Sequence, residues 1–172
     1  LVLGPYWGVP QTLNVYDEVL SDASAYREMA LRSHFGDVPT PAGVFKGIAV
    51  CDDLTLPTWL ESHYPDLTVT LSFFRQSPRN QVEPTWVHSD QDMGDVTAIL
   101  YLNPDPPSHD GTAFWEDTAT GARVSHRGMS LARADAAIWH TVPAEFNRLV
   151  IFPAECYHSR AIFENYGRDD DA

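Results

Sequence analysis

The spacing of apolar positions changes character near residue 66, helical before it and strand-like after it. Ala23, Tyr26, Met29 and Ala30 recur at i, i+3, i+4 intervals, which predicts a helix opened by Ser21 or Asp22 and running to about Arg32. Thr55 before Leu56-Pro57 marks a second start, because the first helical turn tolerates proline; that helix carries Trp59 and Leu60 and stops by Pro65. From Leu67 the period becomes two. Residues 68–75 set Thr68, Thr70, Ser72 and Phe74 on one face and Val69, Leu71, Phe73 and Arg75 on the other. Neither face is solvent-like, so the expectation is a strand with one side in a core and one lining a polar cavity. Further strands are expected at 96–102, 111–116, 149–152 and 157–163, while 129–140 reads as partly helical. Helices followed by many short strands predict an α+β fold built on an antiparallel barrel or jelly roll. The expected organisation is one domain over 1–172, with a helical or mixed part at about 1–66 and a β-barrel core at about 67–168.

Composition narrows the partners. With 44% hydrophobic and 20% charged residues, a chain of 172 can bury a substantial core. Twenty-four acidic residues against 11 basic leave a net charge of −13, which argues against a nucleic-acid backbone or an anionic membrane as partner. No apolar run approaches the roughly 20 residues of a membrane span. The opening Leu1 to Pro10 lacks the features of a signal peptide and an initiator Met, so the chain reads as a piece trimmed from a longer one. Cys51 and Cys156 make no disulfide framework, and a reducing, cytoplasmic setting is expected. The acidic run Asp169-Asp170-Asp171 reads as a solvated terminus.

The segment Trp86-Val87-His88-Ser89-Asp90 carries the chemistry. In a strand, residues i and i+2 point to the same side, so His88 and Asp90 can approach one ion together. An imidazole and a carboxylate make two corners of a facial triad, and a second imidazole from a distant strand makes the third. His158, 70 residues on, follows the apolar run Leu149-Val150-Ile151-Phe152-Pro153 by a short turn and fits that corner. The bland alternative is a surface His–Asp pair and a hydrogen-bonded core histidine.

Residues 71–167 resemble the double-stranded β-helix of the 2-oxoglutarate/iron(II) oxygenases, in particular the prolyl-hydroxylase-like branch. The matching pieces are Phe74-Arg75, His88-Ser89-Asp90, Ala98-Ile99-Leu100-Tyr101-Leu102-Asn103, Gly111-Thr112-Ala113-Phe114-Trp115 and Asn147-Arg148-Leu149-Val150-Ile151-Phe152-Pro153, leading to His158-Ser159. The resemblance implies a cupin-like jelly-roll barrel with supporting N-terminal helices. It implies Fe(II) on His88, Asp90 and His158, with 2-oxoglutarate as co-substrate and O2 as oxidant. The reaction implied is hydroxylation of a C–H bond in a small molecule or an amino-acid or peptide substrate, with succinate and CO2 released. In the family a basic residue after the distal histidine holds the far carboxylate of 2-oxoglutarate. Arg168 is the nearest match, with Arg160 or Arg75 as substitutes; a guanidinium suits this task because it pairs bidentately with carboxylate. Tyr101 and Thr70 are candidates to hydrogen-bond that carboxylate, the ordinary alternative being a strand aromatic and a β-former. Asp92, His63, His109, His126 and His140 read as surface or structural groups, and Cys156 as a small buried residue. Segments 75–85, 104–110 and 118–146 are the expected substrate loops. A cupin-like metal enzyme independent of 2-oxoglutarate and a non-catalytic barrel module are the competing readings.

Overall fold

The computed structural model describes residues 12–40, 43–77, 87–125 and 130–161. Both expected helices form. Helix α1 spans Ala23–Leu31, and the Asp22 side chain caps it by accepting the Ala25 N–H at 2.9 Å. Its buried residues are Ala23, Tyr26 and Ala30, three of the four in the expected stripe, with Met29 half-buried beside them. Helix α2 spans Thr55–His63, with Asp53 Oδ1 accepting the Thr55 N–H at 2.8 Å and Leu60 fully buried.

The strands are β1 (Asn14–Tyr16), β2 (Gly36–Thr40), β3 (Gly43–Val50), β4 (Phe73–Arg75), β5 (Val96–Leu100), β6 (Gly111–Asp117), β7 (Ala136–Pro143), β8 (Leu149–Pro153) and β9 (His158–Arg160). They form three antiparallel three-stranded sheets, ordered β1-β8-β5, β2-β3-β4 and β7-β6-β9. These strands do not close into a barrel; the packing is compatible with a β-sandwich.

Strand β8 explains the layering. Leu149, Val150, Ile151 and Phe152 are all at 0% exposure, so both faces of the strand are covered. Leu149 and Ile151 pack with Leu60, Leu67 and Val96 on the α2 side. Val150 and Phe152 pack with Phe114 of β6 and Val142 of β7 on the other. A strand buried on both faces is a continuous apolar run rather than an alternating one, as seen here. Two backbone details hold β6 and β8 in place. Gly111 has φ +148°, and a Cβ there would lie 2.1 Å from the Val142 carbonyl oxygen, so only glycine lets β6 start so close to β7. Asn147, before β8, adopts φ 63°, which asparagine tolerates, and its side chain bonds both the N–H and the C=O of Leu20 at 2.9 Å.

Three expectations change. The strand expected at 68–75 shrinks to Phe73–Arg75, because its partner β3 ends at Val50 and only the Cys51 N–H reaches back, to Ser72 O at 3.1 Å. The partly helical reading of 129–140 reduces to one 3-10 turn, Arg133–Asp135, followed by β7. The alanines there favour helix, but pairing with β6 along its whole length overrides that preference. The β2–β3 hairpin was not anticipated; Pro39 is accommodated because β2 is an edge strand, where a missing N–H costs no ladder bond. Among the described residues, no helix is long and apolar enough to cross a membrane.

Candidate metal centre

His88 and His158 are brought together by backbone pairing. His88 N–H donates to His158 O at 3.0 Å and His158 N–H donates to His88 O at 2.8 Å, an isolated antiparallel bridge. Directly opposed residues point to the same side of such a pair, so both imidazoles face one way. Their ring centroids are 4.4 Å apart. Asp90 is set by a different device than the expected strand alternation. Its N–H donates to Ala154 O at 2.8 Å, and its C=O accepts from Met93 N–H at 2.8 Å, so it opens a turn at the end of β8.

The three side chains converge. Asp90 Oδ1 lies 3.5 Å from His88 Nε2, and Asp90 Oδ2 lies 3.3 Å from His158 Nε2. One ligand atom from each residue falls within 4.8 Å of the other two. Donors bound to one ion at about 2.1 Å and about 90–110° to one another stand about 3.0–3.4 Å apart, close to the two His–Asp contacts, so the group could hold a metal ion. Two imidazoles and one carboxylate with open positions is the donor set of non-haem iron(II) sites. The side chains are 28%, 12% and 6% exposed for His88, Asp90 and His158, so the site opens towards solvent on the His88 side.

Neighbouring groups fix the ligands. His158 Nδ1 lies 3.0 Å from the Cys156 carbonyl oxygen, which can only accept, so Nδ1 carries a proton and Nε2, facing Asp90, is the nitrogen a metal would take. The Phe152 ring meets the His158 ring edge-on at 4.8 Å. Thr97 of β5 donates its hydroxyl to Asp90 Oδ2 at 2.9 Å. Burial alone would push the Asp90 carboxyl up, but hydrogen bonds and charge from His158, then His88, hold it well below the usual carboxylate range. Asp90 is therefore an anion ready to bind a cation. Burial, aided by Glu155, pushes the Cys156 thiol up to about 11, which fits an uncharged packing group.

The same inner face continues away from the triad. On β6, Phe114 pairs with both His158 and His140, and Thr112 pairs with both Arg160 and Val142, which makes two rows across the sheet. Tyr101 and Thr112 share a hydroxyl–hydroxyl hydrogen bond of 2.6 Å. Burial, with the charge of Asp110, raises the Tyr101 phenol. Arg160 donates Nε to Asp110 Oδ1 at 2.9 Å and Nη2 to Oδ2 at 2.6 Å, a bidentate pair at the far end of the face.

The remaining candidates lie elsewhere. Thr70 is exposed and outside any strand. Arg75 lies in β4, in the sheet that carries none of the ligands. Asp92 is exposed in the turn after Asp90. His140 is exposed at the edge of the Phe114 row, stacked on Phe114 with centroids 6.3 Å apart. Trp115 packs against the opposite face of β6, donating Nε1–H to Ser159 Oγ at 2.9 Å. Arg168, Trp86, His126, the acidic run and most of the 75–85 loop lie outside the described residues. Sequence reasoning missed Thr97 and Asp110. For Thr97 a signal existed, since it shares the alternating face of Ile99 and Tyr101. Comparison with protein-family models, with curated proteins and with solved structures gives no match.

Proposed function

We propose that the chain is a non-haem Fe(II)- and 2-oxoglutarate-dependent dioxygenase, a hydroxylase of the jelly-roll, double-stranded β-helix type. The observation that carries this reading is the convergence of His88, Asp90 and His158, two imidazole nitrogens on either side of one carboxylate. When bound, iron(II) would let O2 act as the oxidant of both partners, one oxygen atom going to the substrate C–H and the other to 2-oxoglutarate, which leaves as succinate and carbon dioxide. The protein's own groups do the rest. His88, Asp90 and His158 would hold the iron, and three protein ligands would leave positions for a co-substrate and oxygen. Asp90 fills the corner that halogenating relatives leave to chloride, which favours hydroxylation. Phe114, Phe152, Val150 and Ile99 line the face with apolar surface and exclude water. Tyr101, Thr112 and Arg160 form a polar end suited to the distal carboxylate of a C5 diacid. The two free thiols fit a reducing, cytoplasmic setting, and the acidic charge fits a small-molecule, amino-acid or peptide substrate better than a polyanion.

One observation favours a second reading. Asp110 already engages the Arg160 guanidinium through both oxygens, which lowers its value as a carboxylate anchor. A cupin-like metal enzyme that does not use 2-oxoglutarate fits that pairing. Anaerobic titration separates the two: iron(II) plus 2-oxoglutarate gives a visible charge-transfer band in the dioxygenase, and iron binding without that band favours the cupin-like enzyme. His88→Ala and Asp90→Ala should remove both the band and oxygen-coupled succinate formation. Turnover retained in either variant refutes the ligand assignment.

A further inference from the structure

We propose that Thr97 is a positioning residue that makes Asp90 a one-oxygen metal ligand; this rests on the metal reading above. Thr97 is 5% exposed and sits on β5 opposite Phe152, the ring that abuts His158. Opposed residues share a face, so its side chain is directed to the metal side of the sheet rather than towards α2. Its hydroxyl proton goes to Asp90 Oδ2 at 2.9 Å.

That oxygen has a second neighbour, His158 Nε2 at 3.3 Å. The two contacts differ in fate. Nδ1 of His158 holds its proton against the Cys156 carbonyl, so a metal takes the Nε2 lone pair and the Nε2 contact to Asp90 ceases to be a hydrogen bond. The Thr97 hydrogen bond has no such competitor and persists. Oδ2 is thereby withdrawn from the metal, and Oδ1, facing His88, is the ligand atom. A carboxylate free to rotate could bind through both oxygens and close a position that a co-substrate needs. Threonine's branched side chain adds rigidity, because χ1 is strongly restricted at a β-branched residue.

Cobalt(II) is the probe, since its visible absorption reports coordination number and its affinity is measurable against a chelator without turnover. Thr97→Val keeps the shape and removes the donor. It should weaken cobalt binding about 10–100-fold, the usual cost of losing an outer-shell partner, and change the absorption envelope, with circular dichroism unchanged. Thr97→Ser should restore affinity to within about threefold, since it returns the hydroxyl. If valine does not fold, Thr97→Ala takes its place in the same measurement. Wild-type affinity and spectrum in the donor-less variant overturn the Thr97 proposal alone, provided His88→Ala still loses cobalt. Cobalt binding that survives His88→Ala, or is absent in the wild type, overturns the metal reading and this proposal together.

Discussion

One inner face of the β-structure holds two polar clusters with opposite logic. At one end His88, Asp90 and His158, with Thr97 behind them, turn two imidazole nitrogens and a carboxylate towards one point. At the other, Arg160 and Asp110 satisfy each other through two charge-assisted bonds, and Tyr101 and Thr112 close on each other. Thr97 and Tyr101 stand four positions apart, roughly 13 Å at strand rise, and the apolar side chains of Val150, Phe152 and Phe114 lie on the same face. The contrast separates a cluster that could hold a cation from an end whose opposite charges already pair within the chain.

Changes at each end test that distinction, and the largest effect belongs to the open cluster. Asp90→Ala should abolish metal binding, beyond the roughly 100-fold that an outer-shell loss costs, as read by titration with iron(II) or cobalt(II). Asp110→Ala should do the reverse. It removes the bidentate partner of a half-buried guanidinium and should cost about 2–3 kcal/mol of stability in urea unfolding, with metal affinity unchanged. The figure sits at the low end because Arg160 keeps 21% of its side-chain exposure. Adding Arg160→Met to that variant should recover most of the loss. A fall in metal affinity on Asp110→Ala would join the two ends into one site.

Smaller effects sharpen the comparison. Tyr101→Phe leaves the Thr112 hydroxyl without its 2.6 Å partner and should cost about 1 kcal/mol. If the closed end receives 2-oxoglutarate, the same variant raises the co-substrate's half-saturation without touching iron affinity; steady-state succinate assays read that split. The surface pair Asp17–Arg148 is the control, with the same bidentate chemistry but an Asp17 side chain 57% exposed. Asp17→Asn should cost only about 0.5 kcal/mol at neutral pH. The Arg148 hydrogen bond holds the Asp17 carboxyl below its usual range. Its contribution is therefore complete above the unfolded-state value of about 4 and disappears as pH falls through the folded-state value. Urea melts of wild type and Asp17→Asn should converge below about pH 4.

Much of this was legible in the chain. The Asp22 cap, the α1 stripe, the β8 run and the two-histidine, one-carboxylate set all depend on local pattern or on residue types with few other uses. What was missed depends on topology. Alternation puts Thr97 on the face of Ile99 and Tyr101, but that it meets Asp90, and that Asp110 meets Arg160, follows only from which segments become neighbours. The stretch before His140 misled for another reason: its alanines favour helix in isolation, and β6 imposes a strand.

The reciprocal bonds between His88 and His158 close a loop of 70 residues. Bridges of such high sequence separation form only after the intervening strands have docked, since chain entropy opposes early closure. The ligand set is thus tied to the docking of the strands that lie between the two histidines in sequence. A divalent cation added after synthesis would then select the finished chain and slow its unfolding, by joining two points that otherwise separate when the sheets come apart.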